Sequence, residues 1–434
     1  MLSHEKGEKT GGITVLFSFR GKYTKVRFGF DMWMTMCNFA VRTRYRMAKD
    51  TLRTAMAGRG REPEKIVVAF DSFKGCMSAE EACRSAAEGV RSVLPRVQVV
   101  ELPLSDGGEG LVACVKRLRP TVDVTLSVHG PLMNLVNCSY ALSPDGKTAY
   151  MEMAAAGGLA LVPEDKRNPM NTTTYGVGEM MADAIGRGCE TMVMGIGGSA
   201  TNDCGVGMAA ALGYRFLDEK GREVEPFACN IGSIRRILKP DALPDLSITV
   251  ACDVDNPLCG ERGASAVFGP QKGLLPHQIG PLDRDIRAFA ALIQAELGAD
   301  VAEIPGAGAA GGLGAALLAF CGAELKPGIE LLLDAAGMDE LLKDAELVLT
   351  GEGRIDGQSA AGKVPVGVGR RAKRAGVPCV AVCGCIGPGA EAVLHEGVTA
   401  YYATSDGTRT MDEIRKTCRE DLRNTARQVI REYV

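Results

Sequence analysis

Gly195 to Asp203 reads GIGGSATND, and its residue types ask for two opposite charges at one place. Gly195, Gly197 and Gly198 let the backbone turn bare N–H groups toward a single point, which suits a phosphate. Ser199 and Thr201 add hydroxyls. Asn202 and Asp203 offer oxygen ligands instead, so a hard cation such as Mg2+ is expected beside the phosphate, with Asp203 as its ligand. The same stretch is also a dinucleotide fingerprint, Gly195-x-Gly197-x-x-Ala200 with Asp218 downstream. Against that reading, Asp203 would face a pyrophosphate unless a metal lay between them.

Two other glycine runs imitate nucleotide motifs less well. Gly306-x-Gly308-x-x-Gly311 follows Ile304-Pro305 rather than a strand, and close helix packing explains it. Gly357 to Lys363 reads GQSAAGK, but Val364 stands where a P-loop needs Ser or Thr for Mg2+. Lys363 remains a candidate partner for a phosphate or carboxylate.

Polar clusters follow several strand-like runs. Asp71-Ser72-Phe73-Lys74-Gly75 comes after Lys65 to Phe70, and ligands of open parallel sheets collect outside strand C-termini. Ser105-Asp106-Gly107-Gly108-Glu109-Gly110 places two carboxylates on a glycine loop, fit to share Mg2+ or to act as a base. Asp253 and Asp255 follow Ala251-Cys252. Glu352, Arg354 and Asp356 follow Glu346 to Thr350, and an Arg can grip a small carboxylate bidentately where Lys cannot. Phosphate cradles, lysines, strand-end acids and one arginine together suit ATP-dependent phosphoryl transfer to a small acid or alcohol.

The elements that must position these groups are readable. Lys65 to Phe70 is a buried-strand run. Ser78 and Glu81 form a capping box opening a helix to Val93. Strands are predicted at Val97 to Leu102, Val122 to Val128, Val136 to Leu142 and Thr148 to Met153, the last three as an antiparallel meander. A helix over Thr173 to Ile185 precedes the opening motif, and Ser247 to Cys252 is a further strand. The final third alternates: strand Glu346 to Thr350, helix Val366 to Arg374, strands Pro378 to Cys383 and Val398 to Ala403, helix Met411 to Ile430. Such alternation predicts a parallel, flavodoxin-like sheet, with the middle of the chain inserted into it.

At 434 residues the chain exceeds one ordinary core. Apolar residues make up 46% and charged residues 24%, with a net charge of −3, which argues against a nucleic-acid partner. Fifteen cysteines are scattered without a CxxC pair, and with only four histidines they read as buried small side chains in a reducing cytoplasm. Residues 1–62 are basic and aromatic-rich, with a helical patch at Tyr45 to Ala57 and no sustained strand period. They read as a poorly ordered, dispensable extension.

Taken in order, DSFKG (Asp71 to Gly75), SDGGEG (Ser105 to Gly110), GIGGSATND, CDVDNPL (Cys252 to Leu258), FGPQKG (Phe268 to Gly273), PGAGAAGGLG (Pro305 to Gly314) and TGEGRIDGQSAAGK (Thr350 to Lys363) resemble the motifs of the type-1 glycerate kinases. The resemblance runs from about Lys65 to the C-terminus. It implies an α/β protein of two domains, a Rossmann-like one from 63–125 and 322–434 and an inserted mixed α/β one from 126–321. It also implies ATP, Mg2+ and D-glycerate as ligands, 2-phosphoglycerate (or 3-phosphoglycerate) as product, no membrane, and a homodimer as the possible assembly. On that reading Gly197, Gly198, Ser199, Thr201 and Asn202 cradle phosphates with Lys363 assisting, and Lys74 screens charge. Arg354, Asp71 and Ser72 hold glycerate, and Asp253 is the first choice of base, ahead of Asp106 and Glu352. Readings from other classes are an NAD-dependent hydroxyacid dehydrogenase using Asp218 and a noncatalytic sugar-acid-binding protein.

Overall fold

The computed structural model describes the strands Gly12–Phe19 and Lys22–Gly29 and residues 62–105, 110–241, 246–357, 359–405 and 408–434. The six-residue run Lys65–Phe70 is almost wholly apolar because both its faces are covered. It lies inside a five-stranded parallel sheet, ordered Ala400–Ala403, Cys379–Cys383, Leu347–Gly351, Lys65–Phe70, Gln98–Pro103. Counted along the chain this is order 2-1-3-4-5, the flavodoxin-like arrangement expected. One face is covered by helices Ala79–Arg91 and Met411–Tyr433. Helices Leu111–Leu118, Gly328–Ala335 and Val364–Arg374 cover the other.

Helix Ala79–Arg91 starts where the capping box put it. Glu81 N–H donates to Ser78 Oγ at 3.2 Å and Ser78 N–H to Glu81 Oε2 at 3.0 Å. Helix Pro276–Leu297 stays helical through Pro281. One missing i→i−4 bond near a helix start is tolerated when the apolar face beyond it is buried.

A second, six-stranded sheet is mixed. Its order is Glu324–Lys326, Ser247–Ala251, Thr191–Gly195, Thr148–Glu152, Leu135–Leu142, Val122–His129. The first four strands run parallel and the last two close the antiparallel meander. By strand pairing this sheet opens at Val122 and closes at Lys326. Val122 pairs with Leu142, and Thr249 with Glu324, contacts that only the sheet reveals.

Gly12–Phe19 and Lys22–Gly29 pair antiparallel, in a region where no strand period was read. Leu16 interrupts the alternation of apolar and polar residues there, so the period is broken although backbone pairing is continuous. The helical patch at Tyr45 to Ala57 lies outside the described residues. All cysteines of the described residues are free thiols, most of them buried. No described helix is long and apolar enough to cross a membrane.

Candidate active site

In the 2-1-3-4-5 order, Lys65–Phe70 and Leu347–Gly351 are neighbours whose following helices leave on opposite faces of the sheet. Their C-terminal loops therefore part and leave a crevice. Asp71 N–H donates to Gly351 O at 3.0 Å, which ties the two loops at their root. Above it lies a cavity of about 310 Å³ lined by Asp71, Ser72, Lys74, Glu352, Arg354 and Lys363, with Phe73, Met411 and Ile414 as an apolar wall. The structure thus gathers six of the expected site residues, from segments far apart in the chain, into one pocket.

Glu352 is the unusual member, a carboxylate only 6% exposed. Its Oε1 accepts the Ser359 hydroxyl at 2.6 Å, and its Oε2 lies 3.5 Å from Lys363 Nζ. Burial pushes its carboxyl above the ordinary value, against Ser359 and Lys363, and nearby Asp71 adds to the upward push. A carboxylate raised in this way suits proton abstraction near neutral pH. Arg354 is more exposed, its Nε 3.1 Å from Asp356 Oδ2, and it lines the same pocket. Asp71 Oδ1 accepts Ser72 N–H at 2.5 Å.

The second half lies at the C-terminal end of Thr191–Gly195 in the other sheet. Gly198 has φ +70°, which a side chain would strain. Leu159 N–H donates to Gly198 O at 2.8 Å and Ala200 N–H to Gly157 O at 2.9 Å, so the loop is held to the segment around Gly158. Beneath it runs the PGAGAAGGLG segment. A Cβ on Gly311 would stand 2.0 Å from Thr201 O, so this glycine run serves close packing, as its weak fingerprint suggested.

Asp203 is fully buried and its oxygens are engaged. Oδ2 accepts Thr174 N–H at 2.7 Å, Thr174 Oγ1 at 2.8 Å and Gly207 N–H at 3.2 Å, while Oδ1 accepts Gly205 N–H at 3.3 Å. Burial pushes its carboxyl up, against those same donors. This corrects the metal-ligand expectation: the Asp203 oxygens are taken up by these donors, and the side chain fastens the loop to Thr174. Asn202 fits a cation better. Its Nδ2 donates to Ser265 Oγ at 2.8 Å, and its buried Oδ1 has no hydrogen-bond partner among the described residues. A neutral amide oxygen is an ordinary ligand for a hard divalent ion.

Asp253 also differs from its expected place. It is exposed at the end of Ser247–Ala251, does not line the crevice, and its Oδ1 accepts Gly328 N–H at 2.8 Å at the start of helix Gly328–Ala335. That contact makes it a helix anchor between the sheets. Asp106 and Glu109 lie outside the described residues. Asp218 accepts the N–H groups of Lys220 and Arg222 and pairs with the Arg222 side chain. Its strand belongs to a separate two-stranded ribbon, not beside Thr191–Gly195, which removes the ribose-binding acid of the dehydrogenase reading.

One group was missed as an individual. Lys272 is 2% exposed, and its Nζ donates to Ser199 Oγ and to Thr201 O, each at 2.7 Å. Burial pushes the ammonium down to about 7, with the Asp203 charge acting the other way. The available signal is a single charged residue in the stretch from Phe268 to Leu275, set in a glycine-bounded turn from Gly269 to Gly273 compatible with phosphate.

The model of the glycerate kinase family matches residues 66–434. The chain belongs to the glycerate kinase family. It is 46% identical over 370 residues to a glycerate kinase of Halalkalibacterium halodurans, covering 84% of this chain and 97% of the relative. It is 43% identical over 369 residues to the glycerate 2-kinase of Escherichia coli, with 84% and 97% covered. A crystal structure of a glycerate kinase 2 from Salmonella typhimurium superposes with a TM-score of 0.73 at 43% identity, covering 85% of this chain and 97% of that one. Family membership makes the protein a kinase, a transferase that phosphorylates glycerate.

Proposed function

We propose that this glycerate kinase family member transfers the γ-phosphoryl group of ATP, as its Mg2+ complex, to the 2-hydroxyl of D-glycerate, giving 2-phosphoglycerate and ADP. The observation that carries this reading is the pair of unlike half-sites on two sheets. One is a glycine and hydroxyl loop suited to phosphates; the other is a charged crevice suited to a small acid. The Escherichia coli relative's name supports the choice of hydroxyl. The two domains are read as the parallel-sheet unit and the mixed-sheet unit inserted into it.

In the crevice, Arg354 grips the glycerate carboxylate while Asp71 and Ser72 bind its hydroxyls. Glu352 takes the proton of the attacking hydroxyl, a role its raised carboxyl favours over Asp253. Lys74 and Lys363 screen the charge that builds up as the phosphoryl group moves. On the other side Gly197, Gly198, Ser199 and Thr201 bind the nucleotide phosphates. Asn202 would hold Mg2+, which when bound neutralises phosphate charge. Each turnover forms one O–P bond to glycerate and breaks the bond to ADP, with the hydroxyl proton leaving through Glu352.

ADP release coupled to D-glycerate addition, followed by NMR of the phosphorylated product, tests the proposal. A 3-phosphoglycerate signal refutes the regiochemistry, and no ADP release refutes the transfer.

A further inference from the structure

We infer that Lys272 is the cation of the nucleotide-phosphate seat and acts through Ser199, whose hydroxyl it orients toward the phosphoryl groups. The inference rests on the reading that the Gly197–Thr201 loop takes those groups. The other deeply buried cation among the described residues, Arg371, is saturated by carboxylates: Glu330, Asp334 and Asp339 lie 2.6–2.8 Å from its guanidinium. Lys272 is more deeply buried, yet the hydrogen bonds recorded for its ammonium go to a neutral hydroxyl and a neutral carbonyl. Asp203 is the acid that acts on it electrostatically, and that carboxylate is already spent on Thr174, Gly205 and Gly207. A buried ammonium short of negative charge is unfavourable unless an anion arrives to balance it.

A second observation points to the same place. Thr201 Oγ1 is buried without a hydrogen-bond partner among the described residues, and Thr201 is one of the two residues that Lys272 holds. Unpartnered buried hydroxyls are uncommon, and a donor beside an under-neutralised cation is what a phosphoryl oxygen requires.

Position then assigns the division of labour. Gly198 is exposed while Ser199 and Lys272 are buried, so the ammonium stands behind the loop and the open side belongs to the ligand. Because Ser199 Oγ accepts the Lys272 proton, its own O–H is left to donate outward. The loop thus gains a directed hydroxyl and a nearby positive charge without exposing a lysine to solvent. Its chemistry suits the phosphoryl groups of a nucleoside di- or triphosphate.

The test measures ADP affinity, with Mg2+ present, and the KM for D-glycerate in full-length Lys272→Met, Ser199→Ala and the double variant. Lys272→Met keeps the side-chain length and removes the charge. Its ADP affinity is expected to fall roughly 10- to 100-fold with the glycerate KM unchanged. In the double variant the loss should not exceed that of Lys272→Met alone, since the lysine acts through the hydroxyl. ADP affinity within twofold of wild type overturns the assignment, as does an equal loss toward both ligands. A loss toward D-glycerate alone overturns the underlying nucleotide reading and the assignment with it, and wild-type protein that binds no ADP does the same.

Discussion

Replacing Asp203 with Asn separates an anchor from a metal ligand. The carboxylate accepts four donors within 3.3 Å: Thr174 N–H, the Thr174 hydroxyl, Gly207 N–H and Gly205 N–H. An amide retains one acceptor oxygen. If that oxygen stays with Thr174 and Gly207, the amide N–H2 group confronts Gly205 N–H; if it turns, the other three donors lose their partner. Either arrangement also removes the negative charge near Lys272. With about 1–3 kcal/mol for a buried donor left unpaired, plus weaker neutral bonds elsewhere, the expected destabilisation is about 3–5 kcal/mol. In a protein of 434 residues that lowers the melting temperature by about 3–6 °C. Thermal melts of Asp203→Asn beside wild type measure it, together with a Mg2+ titration of activity. Unchanged melting with a raised Mg2+ requirement would refute the argument and restore Asp203 as a metal ligand.

Glu352→Gln should lower kcat by about 10²- to 10⁴-fold with both KM values within a few-fold of wild type; an equal rise in KM would make Glu352 a binding group. The wild-type kcat/KM should climb with pH through a midpoint above the ordinary glutamate value, because a carboxyl raised by burial stays protonated, and inactive as a base, to higher pH. That rising limb should be missing from the Gln variant. Arg354→Lys should raise the glycerate KM about tenfold while leaving kcat nearly constant, since a point charge replaces a two-pronged donor; unchanged KM would place the carboxylate elsewhere. Asp253→Asn keeps an acceptor for Gly328 N–H and should turn over close to wild type, and a kcat fall beyond about tenfold would return it to the chemistry.

Local signals carried most of the fold, and the reason is visible in the capping box. Ser78 and Glu81 are three residues apart and satisfy each other's backbone partner, so the helix start is written in four letters. The strand runs were legible for the same reason, and so was the alternation that predicts a parallel sheet. What pairs with what is not local: Val122 finds Leu142 and Thr249 finds Glu324. The site divides along the same line. The crevice residues were legible because each follows a strand, and strand ends of one parallel sheet converge whatever the intervening sequence. Strand-end position alone could not separate Glu352 from Asp253. Both follow strands, but one is enclosed by Ser359, Lys363 and Asp71 while the other caps a helix at the surface.

Lys272 shows where such reading stops. In the sequence it is a lysine in a turn between glycines, a weak signal that does not by itself separate a buried ammonium from a solvated side chain. Its environment is supplied by Ser199, 73 residues earlier, and by the burial that the packing of both segments creates. The same packing explains why Asp203 was misread. An acid beside a phosphate loop looks like a metal ligand until Thr174, 29 residues before it, is seen to hold its oxygens. Long-range contacts thus exchange the roles that neighbours in sequence suggested: the acid becomes the fastening, Asn202 keeps the oxygen suited to a cation, and a turn lysine becomes the buried charge. Melting the Asp203→Asn protein and titrating the Lys272→Met protein with ADP examine the two sides of that exchange separately, because the first reads stability and the second reads the ligand.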